Sequence, residues 1–163
     1  MYKGIHNPTK TESYFQAIFG KLQEFTRDLT GLGNPFVLGL LGLLVLGFSA
    51  DYVTLVTLWI ANEVICSAIK YYYFQPRPQT MPYSNWLEKI EAGSFPSIHS
   101  SRWSVFAFFV LLQGYTTVAA SVLLVLMLVV GWTRFVLRKH YWRDIVAGWI
   151  IGFLFAWVAS ALV

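Results

Sequence analysis

The sequence predicts an all-α integral membrane protein: a helical bundle of about five transmembrane helices, preceded by an N-terminal amphipathic helix lying in the membrane interface. Three observations support this. The 163 residues are 56% hydrophobic and only 12% charged, roughly half the charge of a soluble domain, so a bilayer is the solvent they suit. Five apolar runs approach the about 20 residues that a helix needs to cross one. The segment 11–30 instead alternates apolar and charged residues at helical spacing. The chain, 1–163, reads as one membrane domain, 11–30 being the interfacial helix and 34–163 the bundle.

In order along the chain, Tyr14, Phe15, Ile18, Phe19, Leu22, Phe25 and Leu29 recur at steps of three and four. Glu12, Lys21, Glu24, Arg27 and Asp28 lie mostly between them. That pattern suits an interfacial helix, because a sixth crossing would bury several charges. The first 30 residues lack the compact apolar core of a secretory leader. The five apolar runs lie at 34–50, 52–74, 98–115, 117–137 and 142–163. Very short connections around Asp51 and Tyr115 imply antiparallel neighbours. The one long polar connection, 75–97, holds prolines that prevent a continuous helix. A second polar patch is RKHYWRD, 138–144. Trp86, Trp103, Tyr141 and Trp142 read as an interfacial aromatic belt. Gly148 and Gly152 read as a close-packing pair. The single cysteine, Cys66, cannot form an intramolecular disulfide.

Five crossings place the N-terminal helix, the 75–97 loop and the 138–144 patch on one membrane face. Lys70, Arg77, Ser97, His99, Arg134, His140 and Asp144 then meet in one layer. Each has an ordinary structural reading: Lys70 and Arg134 can snorkel, Ser97 can cap a helix, and Asp144 can neutralise a helix start. So many cations at one depth nevertheless call for an anion, most simply a phosphate. Arginine offers a planar fork for its oxygens and lysine a point charge. The N–H groups opening the helix at Ser97 add donors. His140 precedes Asp144 by one helical turn, so the two can meet. A carboxylate on one ring nitrogen leaves the other free to attack. His99, beside the cradle, suits a general acid for the departing alkoxide.

Rival phosphatase chemistries lack their residues. Two-metal catalysis needs clustered acidic ligands, and the only aspartates are Asp28, Asp51 and Asp144. Cysteine catalysis needs a thiolate in a phosphate loop, and Cys66 lies inside an apolar run. No glycine-rich nucleotide loop is present. Metal-free phosphohistidine chemistry remains, with no cofactor expected.

Three blocks carry a family resemblance: Lys-x6-Arg-Pro (Lys70, Arg77, Pro78), Pro-Ser-x-His (Pro96 to His99) and Arg-x5-His-x3-Asp (Arg134, His140, Asp144). In order and spacing they resemble the signature of the type 2 phosphatidic acid phosphatase superfamily. Its membrane members hydrolyse lipid phosphates and diphosphates without a metal. The resemblance implies His140 as nucleophile, Asp144 as its orienter, His99 as acid, and Lys70, Arg77, Ser97 and Arg134 as phosphate ligands. One departure stands out: the usual glycine between Ser and His is here Ile98. Isoleucine implies ordinary negative φ and a bulkier wall. Its backbone N–H can still donate, and its side chain is expected to point away from the cradle. A second departure is the count of five crossings, six being common among members.

Glu63, two turns before Lys70 on the same face, is a secondary candidate or a polar contact between helices. Arg102, one turn after His99, is placed to touch a second phosphate. The expected substrate is a polyprenyl diphosphate or phosphate, with phosphatidic acid or phosphatidylglycerol phosphate close behind. The expected partners are membrane lipids and not nucleic acid. A phosphotransferase with the same intermediate and a silent lipid-phosphate-binding protein are the alternatives. The expected location is the cell membrane. Basic residues crowd the site face, which points to the cytoplasm, whereas the resemblance implies an outward site.

Overall fold

The computed structural model describes residues 18, 20, 21, 24–29 and 31–162. Parts of the expected 11–30 helix, among them Glu12, Tyr14, Phe15, Phe19 and Leu22, lie outside them. Residues 24–29 are helical, and the segment Glu24–Gly33 meets the next helix at 63°. A 3₁₀ turn, Gly31–Gly33, leads into α1 (Pro35–Leu46), α2 (Ala50–Tyr72), α3 (Trp86–Ala92), α4 (Ile98–Leu112), α5 (Thr117–Val136) and α6 (Trp142–Leu162). Outside the helices, an isolated bridge pairs Pro76 with Gly93.

Local chemistry sets the helix ends. Asn34 caps α1, its side chain accepting from the Phe36 N–H at 2.8 Å with Pro35 in the first turn, a residue pre-shaped for that position. Gly47, at φ 64°, stops α1 in a conformation that glycine adopts without cost. Asn85 caps α3 by accepting from the Glu88 N–H, and the Glu88 carboxylate accepts in return from the Ser84 N–H, a close variant of the capping box. At the end of the bundle away from the predicted site, the Tyr115 hydroxyl donates to Asp51 at 2.6 Å and ties two short turns together.

The centre of the bundle is α4, which packs most extensively on α6 and then on α5 and α2. Its Trp103, Val105, Phe106, Phe109 and Val110 are fully buried. Gly148 and Gly152 of α6 make the tight seam. A Cβ on Gly148 would stand 2.5 Å from the Ser97 carbonyl oxygen, and one on Gly152 would collide with the Ser101 carbonyl and lie 2.6 Å from the Ser104 Cβ. Close backbone approach of this kind is what small-xxx-small spacing provides. Between α2 and α4, the Ser101 hydroxyl donates to Asn62 Oδ1 at 2.5 Å. Phe36, Leu40, Leu44, Ile60 and Val64 cover the outside with exposed apolar side chains, as a bilayer requires.

One expectation changes. Trp103 is no belt residue, because a helix enclosed by three neighbours has little lipid face; Trp86, Tyr141 and Trp142 are exposed. Three described helices, Ala50–Tyr72, Thr117–Val136 and Trp142–Ala161, are long and apolar enough to cross a membrane alone. A fourth span exists if the bent pair Glu24–Gly33 and Pro35–Leu46 acts as one. Helix α4 has 15 residues, about 22 Å, against a hydrocarbon core of about 30 Å.

Candidate active site

The predicted site residues come from six segments, four helices and two loops, that meet at one end of the bundle. Lys70 lies in the last turn of α2 and Arg134 in that of α5. Ile98 and His99 open α4, and Asp144 lies in the first turn of α6. Arg77 and His140 stand on the connecting loops. A cavity of about 430 Å³ has Lys70, Arg77, Ile98, His99 and His140 in its wall. Ser97, Arg134 and Asp144 are buried and not part of that wall.

Backbone hydrogen bonds hold the loops in register. The end of α5 grips the His140 loop, since the Arg134 carbonyl accepts from the N–H groups of Lys139 and His140. Arg138, at φ 51°, turns the chain there. The Arg138 carbonyl in turn accepts from the Gln79 N–H at 3.2 Å, linking the two polar loops. The Ser97 N–H donates to the Asp144 carbonyl at 2.9 Å and locks the start of α4 to that of α6. Ser97 stands at the cap position of α4 without capping it; its Oγ accepts from the Ser100 hydroxyl at 2.9 Å. The N–H groups of Ile98, His99 and Ser100 therefore have no intrahelical or Ser97 partner at the helix start.

The nucleophile candidate is fixed by a carbonyl. His140 Nδ1 lies 2.7 Å from the Ser94 carbonyl oxygen and 3.8 Å from Asp144 Oδ2. A carbonyl only accepts, so Nδ1 carries the hydrogen and Nε2 of the neutral ring keeps its lone pair. Asp144 acts from one step behind, its Oδ2 accepting from the Tyr141 N–H at 2.8 Å. Burial pushes the His140 ring down to about 4, the nearby Lys70, Arg134 and Arg77 add to this, and Asp144 opposes it. Lys139 is lowered as well, by burial and then by Arg134 and Arg77. This end of the bundle carries more cationic charge than its acidic groups balance, which is the electrostatic condition for holding an anion.

Three contributors escaped sequence reasoning. The Gly93 carbonyl accepts from Lys70 Nζ at 2.5 Å and from Arg77 Nε at 3.4 Å, so one backbone oxygen aims both cations. The Ser94 carbonyl orients His140. Gly33 is buried against His99, and a Cβ there would collide with the ring. Glu63 and Arg102 also reach the cavity wall, where they pair with each other: Arg102 Nε and Nη2 donate to Glu63 Oε2 at 2.8 and 2.5 Å. Ile98 is half-buried and belongs to the wall, so it is not turned wholly away as expected. The first turn of α4 faces the cavity with Ile98 and His99. Among the described residues, no three His, Cys, Asp or Glu side chains gather as a metal set.

The sequence profile of the PAP2 superfamily matches residues 51–163. The chain belongs to the PAP2 superfamily. That span contains all three signature blocks and every residue placed in the site above except Gly33. The crystal structure of Aquifex aeolicus LpxE is similar over 85% of this chain and 84% of its own, with a TM-score of 0.70 at 22% identity. A transmembrane PAP2-type phosphatidylglycerolphosphate phosphatase from Bacillus subtilis is similar over 86% of this chain and 76% of its own, with a TM-score of 0.66 at 19% identity. At these identities the likeness is one of fold. No curated protein matches the chain. PAP2 membership places this integral membrane bundle among membrane phosphatases and agrees with the resemblance in the motifs.

Proposed function

We propose that this PAP2 protein hydrolyses the phosphate or diphosphate of a membrane lipid through a phosphohistidine, without a divalent metal. His140 Nε2 attacks phosphorus, the bond to the lipid-side oxygen breaks, and that oxygen takes a proton from His99. Water, giving a proton back to His99, then attacks phosphorus; a P–O bond forms as the P–N bond breaks, releasing inorganic phosphate and neutral His140. Lys70, Arg77 and the N–H groups of Ile98 and His99 hold the phosphoryl oxygens as charge develops, with Ser97 and Arg134 buried behind them. Ser94 and Asp144 keep the ring turned.

The observation that carries this reading is the Ser94 carbonyl on His140 Nδ1 at 2.7 Å, on a cavity whose wall also has Lys70, Arg77 and His99. It supports Nε2 as the attacking nitrogen. Phosphate release from a panel of pure lipid phosphates in detergent, with a strong chelator present, tests it. Turnover is expected to survive the chelator and to vanish in His140→Ala. Ile98→Gly is expected to keep turnover and accept bulkier head groups. A silent wild type rescued by that glycine would instead mean that the isoleucine blocks the site.

A further inference from the structure

The Glu63–Arg102 pair occupies a position that the reaction above does not use. Both residues line the phosphate cavity, and both also line an apolar groove of about 260 Å³ formed with Pro35, Leu38, Trp59 and Ile60. Arg102 is one turn further into the bundle than His99, and Glu63 is two turns below Lys70, about 10 Å along α2. The pair therefore stands on the tail side of the phosphate cradle, where head group passes into tail. A second groove meets the cavity through Ser67, Trp86 and Ile90, but it runs to Tyr71 and Tyr72 at the end of α2. It opens at the level of Lys70 or beyond and does not lead a chain inward.

The chemistry of the pair selects what passes it. Arg102 has five N–H donors. Three are used: two on Glu63 Oε2, and one on the Gly33 carbonyl at 3.2 Å. Two donors remain on the terminal nitrogens. Both bonds from Arg102 to the carboxylate end on Oε2, so Oε1 keeps its acceptor capacity. The result is a charge-balanced donor and acceptor, side by side, one turn from His99. The ester oxygens of a neutral linker accept from the two free Arg102 donors and bring no charge against Glu63. A second phosphate satisfies Arg102 alone and faces the Glu63 carboxylate at close range, a like-charge contact that disfavours binding.

We propose that the Glu63–Arg102 pair binds the linker between the scissile phosphate and the tail, and that it makes the enzyme select glycerolipid phosphomonoesters over polyprenyl diphosphates. The tail continues into the groove of Pro35, Leu38, Trp59 and Ile60. This selection rests on the phosphatase reading of the site and reverses the order of substrates expected from the sequence.

The test compares kcat/KM for a diacylglycerol phosphate and a polyprenyl diphosphate in one detergent, using the purified full-length protein. Wild type is expected to favour the glycerolipid by tenfold or more. Glu63→Gln removes the opposing charge and is expected to shift the ratio at least tenfold toward the diphosphate, a gain that structural damage does not produce. Arg102→Gln is expected to lower the glycerolipid rate about tenfold or more. A wild type that prefers the diphosphate, or a ratio unmoved by Glu63→Gln, overturns the proposal. His140→Ala is assayed on both substrates: loss of both leaves the phosphatase reading standing whatever the ratios show, and retained turnover defeats that reading itself.

Discussion

His140 and His99 face one cavity from scaffolds of different kinds. The His140 side is built on backbone. The Ser94 carbonyl holds its ring, the Arg134 carbonyl holds its loop, and the Ser97 N–H joins the starts of α4 and α6 above the glycine seam. The His99 side leans on the periphery. Its ring rests on Gly33, and Arg102, one turn on, donates to the same glycine's carbonyl. The His140 ring is thus held by backbone from the interior of the bundle, while the His99 ring, on a helix whose start is equally locked, rests on a turn outside it, next to lipid-facing α1. For the proposed nucleophile the fit comes from backbone oxygens; for the proposed acid it comes from one absent side chain.

Substitutions can break this contrast. His140→Ala should lower phosphate release by about 10⁴-fold or more, since no intermediate forms. Asp144→Asn should cost less, about 10²-fold, because the Ser94 carbonyl still orients the ring. Equal, mild effects in both, measured by phosphate release, would show that the pair is structural. Gly33→Ala comes next. The new methyl displaces the His99 ring, and a shift of about 1 Å in a reacting group costs about 10²-fold. Activity should fall by tens-fold while the melting temperature stays near wild type.

Gly152→Ala should show the opposite pattern. Its neighbours across the seam are the Ser101 carbonyl, the Ser104 Cβ and the Val105 nitrogen, mostly backbone that cannot yield. Overpacking costs about 1–3 kcal/mol, and the gain in helix propensity of about 1 kcal/mol offsets only part of it. Thermal melting in detergent should fall by several degrees, with residual activity tracking the folded fraction. The smallest effect concerns pH. With His140 near 4 instead of the ordinary 6.5, the acid limb of kcat/KM should lie near pH 4, and an acid limb near 6.5 would refute the buried, carbonyl-held ring. The sign for stability follows: between about 6.5 and 4 the unfolded chain takes up a proton that the folded site refuses, so stability falls as pH drops through that window.

Much of the site was legible because charge is scarce in this chain. Lys70, Arg77, Arg134 and Asp144 stand out against apolar neighbours, and their spacing survives into three dimensions. The contributors that stayed hidden act through atoms every residue has, or through atoms that are missing. Gly93 and Ser94 offer carbonyls, and Gly33 offers the lack of a Cβ; no side-chain pattern marks either. The small-xxx-small pair was readable because helical spacing fixes its face. Trp103 was misread for one physical reason. Apolar residues say that a segment avoids water, but not whether lipid or protein surrounds it. Glu63 and Arg102 were each visible, but their pairing depends on how α2 and α4 cross.

The enclosure of α4 also bears on how the chain is made. Ser97, Ile98 and His99 open a helix whose main partner is α6, and the seam joins Ser101 to Gly152, 51 positions later in the sequence. When α4 leaves the ribosome, its partner has not been synthesised. Shorter than the bilayer core and carrying polar groups meant for protein contacts, it is poorly suited to lipid on its own. The proposed cradle can close only after α6 has inserted and docked, so assembly of the candidate site is among the last events in biogenesis. A chain stopped before residue 142 should hold the Lys70, Arg77 and His99 blocks and still have no phosphate site.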